Sequence, residues 1–423
     1  MMQELLSRFA FCRDVLHQHH SLWRESLLKG YPQSLANYPA AWLAAVAALN
    51  EAGQRQLFAA AGEGTPTLPA DLAELIKSCR EIAVFPRCDL SSWVLAKDEL
   101  TGIKPKKKHE IERVLAVIQK MMAPHGALHA IDVGGGMGHL ARILAARLGL
   151  AVTVVDSNRH LNERGNKLAL SHDKGAKKGG AAGKVDFMHY KLGRFHHERA
   201  GGLASLFIPD ALIIGLHTCG PLALHQFEWC QALGVKQLLN VGCCYQYLDP
   251  IHEVNLSQPA ALKPLPYTDS SLALATHIVS GMGPERFYFD RRVHLYRFAL
   301  QCLITSVLGC PPPSGVGYIK KRQYEVSFGE YAIDRLRYLQ ISHSLTAAGC
   351  DAFYHSTPLQ QEIEKMFAAT LIRWLLARPV EISILLDRAL WLSEKGYEVK
   401  VEEIFDSALS PRNLAISARR APL

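Results

Sequence analysis

AIDVGGGMGHLARIL, Ala130–Leu144, is the stretch whose reading decides the fold. Its apolar start, Ala130, Ile131 and Val133, is interrupted only by the acid Asp132. Glycines follow at Gly134, Gly135, Gly136 and Gly138, and then Leu140, Ile143 and Leu144 recur at helical spacing. The pattern is strand, tight turn, helix, the first crossover of a nucleotide-type α/β domain. Glycine is needed where the backbone must take φ > 0 and lie against a ligand with no Cβ in the way. The spacing is not that of a dinucleotide site. From Gly134 the third glycine of that fingerprint would fall on His139.

A second acid narrows the ligand. AVTVVD, Ala151–Asp156, is a β-branched run ending in a carboxylate about one βαβ step after the glycines. An acid at the tip of the second strand accepts ribose hydroxyls in doubly wound folds. Asp132 also stands two residues before the first glycine, giving Asp-x-Gly-x-Gly-x-Gly, the loop of S-adenosylmethionine (SAM) methyltransferases. That ligand has no pyrophosphate to place on a helix N-terminus, and its cationic methionine end suits an acid. A generic βα turn explains the glycines but not the second acid. SAM is therefore the expected cofactor, with Asp132, Gly134, Gly136, Gly138 and Asp156 as its candidate site.

Composition sets the outer limits. A chain of 423 residues has length for two or three structural units, and 49% hydrophobic with 20% charged residues is the balance of a soluble globular protein. No apolar run approaches the ~18 residues of a membrane span, so no membrane partner is expected. The N-terminus shows no signal peptide and ten scattered cysteines favour a reducing compartment, an expectation of cytoplasmic location. A net charge of +8 permits a nucleic-acid partner without demanding one.

Along the chain, residues 1–100 read as a helical N-terminal region, with Phe85–Val94 a connector carrying an aromatic anchor. Residues 101–250 form the first part of the SAM-binding core. Lys104, Lys106, Lys107 and Lys108 open a helix there, where cations oppose the helix dipole. Besides a plain solvated helix end, they fit an RNA substrate whose phosphates they would touch. His172–Lys184 reads as a mobile basic loop, and Asp186 or Met188 is placed beside an adenine. Residues 251–378 form a mostly helical insertion, with stretches at Asp269–Val279, Arg291–Leu308, Glu330–Ala347 and Leu359–Leu376. A second basic patch, Lys320, Lys321 and Arg322, is either an exposed loop or a further RNA contact. Residues 379–423 return to α/β grammar: a helix Val380–Lys395 closed by Gly396, then strands at Tyr397–Phe405 and Leu414–Ala418. These complete a seven-stranded, doubly wound Rossmann-like sheet of the class I SAM-methyltransferase type.

Two further strands end in reactive groups. Ala211–Leu216 runs into His217-Thr218-Cys219, and Gln237–Val241 into Gly242-Cys243-Cys244-Tyr245. Ligands meet the carboxyl ends of strands in such sheets, so His217, Cys219 and Tyr245 are the candidate catalytic residues. His217 suits a general base or a substrate contact. It also stands with Cys219, Cys243 and Cys244 as a possible zinc set; the lack of CxxC spacing and the usual burial of cysteine favour packing, so no metal is expected. Tyr245 either stacks on a base or seals the core.

The blocks PKKKHEI, IDVGGGMGHLAR, GLHTCGPLA, NVGCCYQYL, PVEISILLDRALWL and SPRNLAI together resemble the methyltransferase-like 25 family, which includes the ribosomal RNA adenine dimethylase domain-containing proteins. The paired HTCG and CCY blocks are also similar to those of tRNA 2′-O-methyltransferases of the Trm-thirteen type. The resemblance implies a SAM-dependent methyltransferase with Asp132, Gly134, Gly136 and Asp156 in the cofactor site. Adenine dimethylases carry an Asn/Asp-Pro-Pro-aromatic block where this chain has His217-Thr218-Cys219-Gly220. Adenine dimethylation is therefore not expected; a block ending in His and Cys suits deprotonation of a hydroxyl or positioning of a different nucleophile. The expected function is methyl transfer to an oxygen or nitrogen of tRNA or rRNA. The alternatives are a protein or small-molecule methyltransferase and a non-catalytic SAM-binding interaction protein.

Overall fold

The structure, a computed structural model, describes residues 2–58, 67–89, 93–96, 99, 102–122, 129–175, 183–196, 201–277, 282–313 and 315–420. The chain divides into two compact units, one of residues 1–17, 82–276 and 379–423, the other of residues 18–81 and 277–378. The boundaries differ from those read along the chain. Residues 1–17, 82–100 and 251–276 stay with the sheet, and the rest of the N-terminal region and of the insertion build one unit.

The sheet unit has seven strands: β1 (His129–Val133), β2 (Ala151–Asp156), β3 (Val185–His189), β4 (Leu212–Cys219), β5 (Gln237–Cys243), β6 (Tyr397–Glu403) and β7 (Leu414–Arg420). Their order is β3-β2-β1-β4-β5-β7-β6. The first five pair in parallel, and β7 enters antiparallel between β5 and β6. Unbroken apolar runs in β1, β2, β4 and β5 are what a parallel sheet covered on both faces requires. The core beneath one face joins Val152, Val154, Leu212 and Ile214 to Leu140, Ile143 and Leu144 of the helix His139–Leu148. The helix Pro105–Met122 closes the same core with Ile111, Val114, Leu115 and Ile118. The expected anchor is Trp93, whose Nε1 donates to Gln119 of that helix at 2.9 Å. The connector also protects the sheet edge, because Cys88 N donates to Glu403 O and Glu403 N to Pro86 O, both at 2.9 Å. An edge strand covered this way offers little to an intruding strand.

Two local readings change. The helix of Arg159–Gly175 continues through the start of the expected basic loop, so His172–Gly175 are helical, and 176–182 lie outside the described residues. The expected Glu330–Ala347 helix is two helices, Phe328–Tyr338 and Ala347–Tyr354. Gln340 takes φ 57° after the first, Ile341 N closes back on Leu336 O, and the Thr346 side chain caps the second through Gly349 N. Stop and start signals thus sit inside an apolar pattern that is periodic throughout. Within the second unit, Gln301 Nε2 donates to Leu28 O, and Arg373 donates to Trp23 O and Glu25 O, which joins its two chain segments.

The SPRN segment is fixed by a buried ion pair in which Arg412 Nη1 meets Glu381 Oε2 at 2.5 Å. Breaking such a pair leaves one charge buried without its partner, which costs about 3–5 kcal/mol. Arg412→Met should therefore lower the unfolding free energy in urea by about 3 kcal/mol or more. The double variant Glu381→Gln/Arg412→Met should recover part of that loss.

Candidate functional site

The glycine loop is built around a buried acid. Asp132, at the fourth position of β1, is 2% exposed, and a Cβ on Gly135 would stand 2.4 Å from its Oδ2. Gly134, Gly136 and Gly138 take φ of 73°, 58° and 65°, conformations that a side chain would strain. Gly134 N donates to Val155 O at 2.8 Å, and Gly136 N to Asp156 Oδ2 at 2.9 Å, so β2 holds the loop at two points. Asp156 accepts a second backbone bond from Asn158 N at 2.8 Å. A carboxylate has about four lone-pair directions, which leaves room for ribose hydroxyls. Burial pushes the Asp132 carboxyl up to about 6; Lys107 opposes that and Asp156 adds to it. A buried acid under that stress is relieved by a cation, and the sulfonium and ammonium of SAM are cations. The residues present fit the cofactor.

The adenine side is less as expected. Asp186 pairs in register with Thr153 near the start of β3, and its carboxylate meets Lys184 at 2.9 Å. Met188 stands nearer the strand end, opposite Val155, and Phe187 fills the space below Gly138 and Gly165.

A pair absent from the sequence reading lies at the end of β4. Between Leu216↔Val241 and Thr218↔Gly242 the register slips by one residue, and the extra residue is His217, at φ 62°. A bulge re-aims the side chain it carries. Here His217 Nε2 comes to 2.7 Å from Glu110 Oε1. Glu110, on the helix Pro105–Met122, is 1% exposed and also accepts from Ser410 Oγ at 2.8 Å. Burial works to raise its carboxyl, but the bond and charge of His217, the Ser410 hydroxyl and Lys107 outweigh it and hold Glu110 down at about 2. Such a carboxylate fixes the tautomer of its histidine and stabilises the imidazolium. Nothing in a lone glutamate among lysines signals this role; only tertiary contact does.

The cysteines gather on the neighbouring edge. Cys219 pairs in register with Cys243, and Cys244 at φ 54° turns its sulfur back toward both. The Sγ–Sγ separations are 3.3 Å (Cys219–Cys243), 3.1 Å (Cys219–Cys244) and 3.5 Å (Cys243–Cys244). The bonds of Cys243 and Cys244 and the nearby His217, against burial, bring the Cys219 thiol down to about 6, while its bond to Cys219 and burial push Cys243 up. The His217 imidazole goes to Glu110 and not to the sulfurs, so the four-residue set read from sequence does not assemble.

Tyr245 is corrected as a stacking residue. It is 1% exposed, with Arg388 and Arg412 each within 6 Å of its ring centre at 5.7 and 5.6 Å, so no ring face is free for a base. Tyr247, two residues on, is the exposed ring of this segment and packs beside Gly220. The basic helix end is partly neutralised by its own acids: Lys106 and Lys107 lie 3.7 and 3.6 Å from Glu110, and Lys108 lies 3.7 Å from Glu112. Lys104 precedes that helix by one residue. Lys320, Lys321 and Arg322 belong to the other unit, where Lys321 stands over the Phe289 ring.

A doubly wound sheet in this strand order, with a glycine loop between two strand-end acids, defines a class I SAM-methyltransferase domain. Residues 106–250 match a family profile described as a methyltransferase domain. The chain is similar to the probable methyltransferase-like protein 25 of Mus musculus, 29% identical over 237 residues, covering 50% of this chain and 38% of that protein. The Homo sapiens protein of the same description is 28% identical over 238 residues, covering 50% and 37%. The matched region thus spans less than two fifths of the length of these relatives. A solved magnesium protoporphyrin IX methyltransferase from Synechocystis aligns over 35% of this chain and 64% of that one at 15% identity, with a TM-score of 0.25. None of these findings supports the adenine-dimethylase or tRNA 2′-O labels. Among the described residues no helix is long and apolar enough to cross a membrane.

The Glu110 carboxyl, held below its ordinary value, contributes stability that is complete above the unfolded pKa and is lost as pH falls from about 4.5 toward about 2. Glu110→Gln should remove that share. In urea unfolding between pH 5 and pH 2.5, the stability gap between parent and variant should narrow steadily toward acid. A gap that stays constant would show that the pair carries no net proton linkage.

Proposed function

We propose that the protein is a SAM-dependent methyltransferase acting on RNA, with His217 as the base that prepares an oxygen or nitrogen acceptor. The observation that carries the reading is the Glu110–His217 contact at 2.7 Å, at the end of a strand that neighbours the glycine-loop strand. When bound, SAM supplies an electrophilic methyl on a sulfonium, which departs as a neutral thioether and needs no acid. Asp132 would meet the cationic methionine end, Asp156 the ribose, and Gly134, Gly136 and Gly138 would let the backbone approach. His217 would take the acceptor's proton on Nδ1, the ring nitrogen that Glu110 leaves free. Glu110, already ionised, stabilises the imidazolium until solvent removes the proton. Most of the rate would come from holding donor and acceptor in line at near-attack distance.

RNA is favoured over other acceptors by where the cations stand. Lys106 and Lys107 share with His217 the same Glu110 carboxylate, so phosphate contacts and the base are tied to one group. The chain's net charge of +8 points the same way. Lys104 and Lys108 flank these positions, and Lys320, Lys321 and Arg322 offer a further basic patch. Cys219 is left out of the proton transfer, because its sulfur is turned to the other two thiols.

Tritiated SAM and purified protein, added to an extract from cells lacking the enzyme, should label nuclease-sensitive material. His217→Asn should reduce that label by about 100-fold or more, the scale of a lost general base. Replacing Lys104, Lys106, Lys107 and Lys108 by glutamine should weaken RNA retention at low salt and flatten its salt dependence. Protease-sensitive label would move the substrate to protein. An absence of label from every fraction would leave a SAM-binding protein without catalysis.

A further inference from the structure

Three thiols from two strands meet at one point, and neither the cofactor site nor the Glu110–His217 pair uses them. Their convergence is built into the backbone. Parallel partners Cys219 and Cys243 present their sulfurs to the same side, and two non-glycine residues at positive φ, His217 and Cys244, adjust the register and turn the third sulfur inward. Positive φ at such residues is strained and persists where the surroundings enforce it. A thiol is only a weak donor and a weak acceptor, so contact among the sulfurs, with Cys243 and Cys219 also donating to His217 O at 3.3 and 3.6 Å, is a poor return for that strain.

The geometry points to a mononuclear metal site, in which the sulfurs of Cys219, Cys243 and Cys244 bind one Zn²⁺ and the fourth coordination place stays open. The three separations form a nearly equilateral triangle, 3.1 to 3.5 Å on a side. An ion ~2.3 Å from each sulfur would stand ~1.3 Å above that plane, and opening the triangle by about 0.4 Å would make the angles tetrahedral. Three sulfur ligands select a thiophilic ion, Zn²⁺ among divalent metals, over Mg²⁺ or Ca²⁺. An iron–sulfur cluster would hold its thiolates on separate irons, further apart than these. On binding, each thiol that becomes a ligand releases its proton to solvent.

Charge and access agree with this assignment. Three thiolates and Zn²⁺ leave one net negative charge. Two buried guanidinium groups stand close by: Arg388, whose Nη1 would lie 3.4 Å from a Cβ on Gly242, and Arg412, which lies 5.6 Å from the ring centre of Tyr245, the residue after Cys244. Cys243 is buried, Cys244 partly exposed and Cys219 exposed, so the open coordination place faces the rim. Three protein ligands and one open place make a site of catalytic rather than structural type. The assignment stands without the methyltransferase reading, since it uses none of the SAM residues.

The test uses the full chain, reduced and freed of metal, titrated with Co²⁺ and then Zn²⁺. The expected result is one Co²⁺ per chain, with sulfur-to-cobalt charge-transfer absorption and the intense visible bands of a four-coordinate ion, both bleached by one equivalent of Zn²⁺. Cys219→Ser and Cys244→Ser should each weaken binding on the order of tenfold or more. Cys310→Ser, which lies in the other unit, should leave it unchanged. Circular dichroism melting of each variant separates lost ligation from lost folding; if the serine variants do not fold, the parent spectrum decides alone. The proposal is overturned by a parent that takes up no Co²⁺ with sulfur charge-transfer bands, or by full binding in both folded serine variants. Failure of SAM binding with the cobalt spectrum intact would sink only the methyltransferase reading.

Discussion

The structure turns on a carboxylate buried at the end of a parallel strand. Asp132 is almost fully shielded from water, yet it carries the group least suited to such a place. The glycine loop closes over it so tightly that Gly135 has no room for a methyl group. From the next strand, Asp156 anchors the same loop through Gly136 N. Two acids thus bracket a loop whose backbone conformations only glycine adopts freely. The loop's own bonds to β2 fix its backbone, which cuts the ordering cost of binding.

The neighbouring edge of the sheet is shaped by one extra residue. Without the slip at His217, the alternation of β4 would continue in regular register with β5. With it, His217 reaches Glu110 and Cys219 comes level with Cys243. One irregularity therefore separates two kinds of chemistry, a proton acceptor on one side and a sulfur triad on the other. The C-terminal segment closes the arrangement: Ser410 completes the Glu110 contacts, and Arg412 is fixed by Glu381. This gives the SPRN block, far away in sequence, a physical reason to accompany the PKKKHEI block.

What could be read from the chain was what local pattern determines. Ala130–Leu144 and Ala151–Asp156 declared the sheet type and the strand-end acids, because glycine conformations and β-branched runs are local. Gly396, at φ 85°, ends the long C-terminal helix where its spacing placed it. Other features needed tertiary contact to be seen. Glu110 looked like one charge among lysines, and its burial under His217 and Ser410 follows from packing of its helix onto the sheet. Tyr245, one residue after the cysteines, reads from sequence either as a ring for a base or as a core seal, and only packing shows that Arg388 and Arg412 enclose it. Metal-ligand spacing rules describe ligands on one turn, so they pass over a set in which strand pairing joins Cys219 to Cys243. The split of Glu330–Ala347 escaped because a stop signal at Gln340 needs no glycine.

The most direct measurement is calorimetric titration of SAM into the folded protein at pH 7.5 and at pH 5. With Asp132 titrating at about 6, its charge is present at the higher pH and largely absent at the lower. The account predicts a single site at pH 7.5, binding weakened on the order of tenfold at pH 5, and an Asp132→Asn variant that binds weakly with little pH dependence. Protein that is folded at both pH values and gives no heat with SAM or with its demethylated product would contradict it.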